Sequence, residues 1–368
     1  MTIRTAVIGT GAMGRNHVRL YHDMSESNLV AVADADSETA EAIARRHGVR
    51  FYTDYRAMLD TEEIDAISIC VPTTLHREVA SDVIARGIHI LVEKPIAATM
   101  EDGRAMMNQA REKGVIFLVG HVERFNPAVV ELKRRLDNNE LGRIFEIVAR
   151  RKGPFPARVR DVGVVLDLAA HDLDVMWYLT GAEVTRVYAE TAQRVHESQE
   201  DMLSGLLRFE NDTVGVLDIN WLTPTKIREL SVIGERGMFQ VNYLTQDLFF
   251  FENTEAGEVW DTLSILRGVG EGRMIRHVVA KREPLRTELE AFGQKNITDD
   301  ELAVISERMA RTGENALDAA QAVSIKVEDV RAEMLARHAM EPENDRLADF
   351  NASEQAELET NTIEFDQA

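Results

Sequence analysis

Apolar residues in the first third of the chain gather in short runs, separated by longer stretches with helical spacing. The pattern predicts strands at 4–8, 29–34, 50–52, 65–71, 88–92 and 115–120, with helices at 15–22, 37–47, 54–60, 74–86 and 99–113. Strand–helix alternation at this spacing implies a parallel sheet covered by helices on both faces. From Arg143 the pattern changes. One strand, 143–151, precedes a long apolar helix. Strands at 183–195, 202–209, 213–221, 226–233, 236–242 and 245–251 follow, joined by turns such as Glu210-Asn211-Asp212 and Gly234-Glu235-Arg236-Gly237. That is the signature of a large, mostly antiparallel open sheet. Such a sheet leaves one face free, and a second copy of the chain is the expected cover. Residues 283–336 read as helical. The expected organisation is a doubly wound α/β domain over 1–122, an α+β domain over 123–338 and an acidic, flexible tail over 339–368.

The long apolar helix runs from Gly163 to Gly181. One face carries Leu166, Ala170, Leu173 and Trp177, and another carries Val165, Leu168, Val175 and Leu179. A helix apolar on most sides belongs in a core. Asp167, His171 and Asp174 nevertheless fall at spacings of four and three, which aligns them in one polar stripe. Burying such groups costs several kcal/mol unless they are paired or used. Two readings follow: a satisfied Asp–His pair, or a working site.

Other stretches weigh on that choice. Gly9-Thr10-Gly11-Ala12-Met13-Gly14 stands between the first strand and the first helix, and Asp34 ends the second strand 20 residues beyond Gly14. In that context the first glycine makes a tight turn, the second admits a pyrophosphate, and the third lets helix and strand pack. An acid at Asp34 suits a ribose diol and repels a 2′-phosphate. No Arg follows it in Ala35-Asp36-Ser37, so NAD is expected over NADP. Ligands of such sheets bind beyond the carboxyl ends of the strands. Two of those ends stand out, Cys70-Val71-Pro72-Thr73-Thr74-Leu75-His76 and Val92-Glu93-Lys94-Pro95. Lys94 is either a solvated loop cation or a group delivered into the crevice. Further on, Arg150, Arg151, Lys152, Arg158 and Arg160 place five cations in eleven residues with no acid among them. That stretch is either a strand end with solvated arginines or a patch for an anionic ligand, since Arg suits bidentate phosphate contacts.

Composition narrows the setting. At 368 residues there is ample volume for two cores. A net charge of −21 argues against nucleic acid or an anionic membrane as partner. A single cysteine, Cys70, excludes an internal disulfide and a multi-cysteine metal site. No apolar run approaches the roughly 20 residues of a membrane span. The start reads as a strand rather than a signal peptide, so a cytoplasmic location is expected.

The glycine loop, Asp34, Glu93-Lys94-Pro95 and the series Gly163, Asp167, His171 and Asp174 together resemble the glucose-fructose oxidoreductase / inositol dehydrogenase (Gfo/Idh/MocA) family of NAD(P)-dependent sugar dehydrogenases. The resemblance covers residues 1 to about 250 and, more loosely, to about 335. It implies a Rossmann domain with Gly9, Gly11, Ala12, Met13, Gly14, Asp34, Val71, Pro72, Thr73, His76, Glu93 and Lys94 at the cofactor, and a cis Lys94–Pro95 peptide. It also implies Lys94, Asp167 and His171 as catalytic residues, with no metal. The stretches 120–129 and 149–165 resemble the branch that oxidises nucleotide-linked amino sugars, UDP-N-acetylglucosamine 3-dehydrogenases in particular. That implies a UDP-sugar held by Glu123, Arg124, Asn126, Arg151, Arg158, Arg160 and His171, and a ketone product passed to an aminotransferase. The expected chemistry is proton removal from a secondary alcohol by His171, aided by Lys94 and Asp167. Two alternatives remain open: another sugar or myo-inositol dehydrogenase of the family, and a sensor that binds dinucleotide and sugar without turnover.

Overall fold

Alternating inward side chains in the first third of the chain build a sheet buried on both sides. The computed structural model describes residues 2–156, 163–253 and 272–293. Arg158, Arg160, the helical expectation beyond 293 and the tail over 339–368 lie outside the described residues. Strands β1 (Ile3–Ile8), β2 (Ser27–Ala33), β3 (Arg50–Tyr52), β4 (Ala66–Ile69), β5 (His89–Glu93) and β6 (Phe117–Gly120) lie in the order β3-β2-β1-β4-β5-β6, all parallel. The order reverses between β1 and β4, which opens a crevice at their carboxyl ends. Helices α1 (Gly14–Asp23), α2 (Ser37–His47), α3 (Tyr55–Thr61), α4 (His76–Ala85) and α5 (Met100–Lys113) connect them.

The two faces follow the two-residue period of the strands. Ala6, Ile8, Ile67 and Ile69 pack with Val79, Val83 and Ile84 of α4 and Met106 of α5. Val7, Leu29, Val32 and Leu91 pack with Val18 and Tyr21 of α1. Leu285, Leu289 and Phe292 join that second cluster from a helix far along the chain, Pro284–Gly293.

The second sheet holds β7 (Ile144–Pro154), β8 (Val184–Ala192), β9 (Met202–Phe209), β10 (Val214–Asn220), β11 (Leu222–Gly234), β12 (Gly237–Asn242), β13 (Asp247–Glu252) and β14 (Met274–His277). Their order is β14-β13-β12-β11-β7-β10-β9-β8. Every neighbouring pair is antiparallel except β7 and β10. Helices α6 (Pro127–Asp137) and α7 (Ala170–Thr180) cover one face. There Ile147, Ala149, Leu217, Leu230, Val232 and Phe239 meet Val129 and Leu132 of α6 and Leu173, Met176 and Leu179 of α7. The helix Pro284–Gly293, α8, closes the described chain.

Four features depart from the sequence reading, the first being strand β14, which was not expected beyond the strand at 245–251. Helix α6 was not anticipated: the Asn126 side chain accepts from Ala128 N at 3.2 Å and Pro127 occupies the first turn, a capped start. The fourth strand ends at Ile69, not at 71, because Cys70 and Val71 already turn over the crevice. Strand β11 begins at Leu222, and its register against β7 shifts between Leu222 and Ile227, a bulge at the edge of the site.

Candidate active site

The crevice begins at the glycine loop. Gly9 has φ +88°, and a Cβ there would lie 2.6 Å from the Cys70 backbone. A Cβ on Gly14 would lie 1.9 Å from Gly9 O, so only glycine lets α1 start against β1. A Cβ on Gly11 would meet nothing within 4 Å. The space above Gly11 is thus open, beside exposed Ala12 and half-buried Met13 at the N-terminus of α1. Asp34 Oδ2 accepts from Thr10 N at 2.6 Å and Thr10 Oγ1 at 2.9 Å, and Oδ1 accepts from Asp36 N at 3.0 Å. The carboxylate is half-buried and fixed beside the loop with acceptor capacity to spare. Open space, helix-terminal amides and a positioned acid fit a dinucleotide.

On the other side of the crevice, Val71, Pro72 and Thr73 follow β4 and stay partly open. His76 is buried, and both ring nitrogens face carbonyls: Nδ1 lies 3.0 Å from Pro95 O and 3.1 Å from Ile96 O, and Nε2 lies 3.0 Å from Val71 O. The structure therefore gives His76 a fastening role between the two crevice loops, not a nitrogen directed at a cofactor. Glu93 likewise turns inward. Its Oε1 lies 2.9 Å from His17 Nε2, and His17 Nδ1 lies 3.0 Å from Ser68 Oγ, all within the core beneath α1. The Lys94–Pro95 peptide is cis.

Lys94 crosses to the second sheet's helix. Its Nζ donates to the Asp167 carbonyl oxygen at 2.9 Å and lies 3.5 Å from Asp167 Oδ1. Asp167 sits in a π-helical turn, Val165–Ala169, that leads directly into α7. Such turns widen the helix and often mark functional sites. Glu200 anchors the start: its backbone oxygen accepts from Val164 N at 2.9 Å and its Oε1 accepts from Val165 N at 3.1 Å. A Cβ on Gly163 would lie 1.9 Å from that Oε1, so the glycine lets the Glu200 carboxylate sit against the turn.

His171 is half-buried at its surface, but it lies deep enough in the protein to be strongly desolvated. Burial first, and then the charges of Lys94, Arg151, His121 and Arg228, hold its pKa well below the ordinary histidine value. It is neutral at physiological pH. Among the described residues it makes no hydrogen bond, so its lone pair is available. The Lys94 ammonium thus lies against Asp167, four residues before His171, and its charge acts on the imidazole.

The expected polar stripe divides here. Asp174 turns away from Asp167 and His171 and takes Arg124, with Nε–Oδ2 at 2.8 Å and Nη2–Oδ1 at 2.6 Å. Asp172, which the sequence reading passed over, takes Arg151 in the same bidentate way at 2.7 and 3.0 Å. Glu123 adds a third bond to Arg151 at 2.9 Å. Arg151 is 4% exposed and Arg124 is 6% exposed. Burial pulls the Arg151 pKa down, but Asp172 and Glu123 outweigh it and the net shift is upward. Burial raises the Asp172 pKa against the pull of Arg151.

These two arginines are therefore already neutralised by carboxylates, not open to a diphosphate. Asn126 is also engaged: it caps α6 and donates to Tyr243 O at 3.1 Å. Lys152 pairs with Asp218, and Arg150 is exposed at a neighbouring strand position. Two charged or titratable groups near the site were not singled out from the sequence: His121, at the carboxyl end of β6 and inside the 120–129 stretch, and Arg228 on β11. His121 is buried with its pKa lowered to about 4, chiefly by desolvation. Its Nδ1 lies 3.4 Å from Asp174 Oδ1, and its Nε2 has no partner among the described residues.

Comparison with known proteins decides the family. A profile described as "oxidoreductase family, NAD-binding Rossmann fold" matches residues 3–121, and one described as "GFO/IDH/MocA C-terminal domain" matches 129–240. UDP-N-acetylglucosamine 3-dehydrogenase of Acidithiobacillus ferrooxidans is 31% identical over 290 residues, 79% of this chain and 87% of that enzyme. The chain belongs to the Gfo/Idh/MocA oxidoreductase family. It is an oxidoreductase with an NAD-binding Rossmann domain. A solved structure of the Acidithiobacillus enzyme superposes with TM-score 0.76 at 30% identity, over 89% of this chain and 98% of the other. Other members of the Gfo/Idh/MocA family are also similar. The scyllo-inositol 2-dehydrogenase (NAD(+)) of Bacillus subtilis is 35% identical over 50% of this chain and 56% of that enzyme. The D-glucoside 3-dehydrogenase of Escherichia coli is 29% identical over 63% of this chain and 73% of that enzyme.

Proposed function

We propose that the chain oxidises a secondary hydroxyl of a nucleotide-linked amino sugar, UDP-N-acetylglucosamine to its 3-keto form, with NAD as acceptor. The observation that carries the reading is the contact of Lys94 with Asp167, at the turn that leads into the helix bearing His171. NAD, when bound, supplies the hydride acceptor. His171, neutral and with a free lone pair, takes the hydroxyl proton. Its low basicity is offset because the cations that depress it also favour the developing alkoxide. Lys94 donates a hydrogen bond to that oxygen, in a partly desolvated site where such a bond is worth more than in water. Asp167 keeps the ammonium in place and offsets the imidazolium that forms. Asp34 and the residues that follow it favour NAD over NADP.

The similarity to the Acidithiobacillus enzyme along most of the chain supports the choice of sugar. A panel of UDP-sugars with NAD, read by reduced-nicotinamide absorbance and product identification, tests it. The reading predicts turnover of UDP-N-acetylglucosamine, and turnover of free sugars alone would defeat it. One observation favours a second reading, a neutral sugar or cyclitol. Arg124 and Arg151 are closed by carboxylates, which leaves fewer cations for a diphosphate. Competition by free UDP separates the two, since only a nucleotide-sugar site is inhibited. The presence of Lys94, Asp167 and His171 together, with Lys94 against Asp167, supports an enzyme over a sensor. The proposal includes a cytoplasmic enzyme that forms a homo-oligomer through the open face of the second sheet, where Tyr188 and Leu206 stand exposed and paired in register. It also includes a downstream aminotransferase.

A further inference from the structure

Arg228 stands directly opposite Arg151 across β11 and β7. Both residues fall on the face that carries Leu230 and Ala149 inward, toward α7. Like charges directly opposite on one face are destabilising. For Arg151 the cost is met by Asp172 and Glu123. For Arg228 it is not. Its Nη1 donates only to two backbone carbonyls, Lys152 O at 2.5 Å and Ile227 O at 2.8 Å. Its Nε and Nη2 make no hydrogen bond to a described residue, and it enters no ion pair among the described residues. Neither atom is sealed in the protein without a partner, so that edge of the guanidinium borders open space. Burial and the Arg151 charge disfavour its charged form, while Asp172, Glu123 and Asp167 support it from a distance. Its charge also acts on His171. A half-buried cation beside another cation, with no carboxylate of its own, is a costly arrangement in an unliganded protein.

We propose that Arg228 reads the charge of the substrate: its open edge takes an oxyanion of the sugar nucleotide, while Arg151 holds the site together. The shared chemistry is an anionic oxygen group, either the diphosphate or a uronic carboxylate. The inference rests on the nucleotide-sugar reading and adds the residue responsible for it. The β11 register shift between Leu222 and Ile227 lies just before Arg228, and the Nε–Nη2 edge of a guanidinium is the edge suited to a bidentate contact with such a group.

The test uses the full chain loaded with NAD, as wild type, Arg228→Met and Arg228→Lys. Binding of UDP, UDP-N-acetylglucosamine and its uronic acid form is measured by calorimetry, with methyl glucoside as the neutral probe. Loss of one charge-assisted bond is expected to weaken anion binding about 10- to 100-fold in Arg228→Met, with partial recovery in Arg228→Lys. The KM for the charged sugar should rise more than kcat falls. A penalty already present with UDP identifies the diphosphate, and a penalty seen only with the uronic form identifies the carboxylate. Either outcome supports the assignment. Changes below twofold, equal losses for methyl glucoside, or a wild type that binds none of the anions would overturn it. Absence of NAD reduction with every nucleotide sugar, alongside an intact difference in UDP binding, would remove the functional reading and leave Arg228 as an anion site.

Discussion

The two walls of the site are built differently. At the glycine loop on the dinucleotide side, the polar groups are held largely by backbone, as when Asp34 bonds the Thr10 and Asp36 amides, while His17 and Glu93 pair in the core beneath. On the α7 side, they are satisfied by buried pairs of oppositely charged side chains, Arg124 with Asp174 and Arg151 with Asp172 and Glu123. The first wall depends on conformation, the second on buried charge. Backbone-built sites fail when a glycine gains a side chain. Charge-built sites fail when one partner is removed and the other is left buried alone.

The largest expected effect lies where the walls meet. His171→Ala should lower turnover about a hundredfold or more while NAD binding, followed by fluorescence titration, holds. Next comes the conformational wall. Gly9→Ala places a Cβ 2.6 Å from the Cys70 backbone at φ +88°, so NAD affinity should fall at least tenfold and the denaturation midpoint should drop. On the charged wall, Asp174→Ala should cost about 3–5 kcal/mol in chemical denaturation, because Arg124 is left buried and unpaired. The double variant Arg124→Met with Asp174→Leu should recover much of that loss. Recovery no better than the single variant would mean that the pair does more than cancel charge.

The smallest effect is in pH. The folded pKa of His121 is depressed to about 4, below the ordinary value of 6.5. The unfolded chain therefore takes up a proton first as pH falls. The stability that His121 contributes is complete above about 6.5 and is lost between there and about 4. His171 and His76, also depressed by burial, act in the same direction. His121→Gln should flatten the slope of stability against pH across that window. An unchanged slope would mean that His121 is not buried and neutral.

This contrast also explains what could be read from the chain alone. The glycine loop, Asp34 and the crevice loops follow from local spacing, and the strands up to β13 fall within a few residues of their expected positions, while β14 was not expected. Long-range pairing left no such trace. Asp172 and Asp174 are two residues apart, and nothing local says that each takes its own arginine and leaves Asp167 to Lys94. The π-helical turn at Val165–Ala169 breaks the regular spacing between Asp167 and the α-helical His171 and Asp174. His76 was placed on the crevice by sequence position, but its ring bonds are all to carbonyls across the loops. Arg228 stood in an unremarkable alternating strand, and only the register against β7 shows what it faces.

The central claim is that Lys94 and His171 act on one alcohol as a unit. Single-turnover hydride transfer in Lys94→Ala, His171→Ala and the double variant tests this most directly. If the two act together, each single variant loses about a hundredfold or more and the double variant is little slower than the worse single one. If the two losses multiply, the residues work independently and the shared site is contradicted.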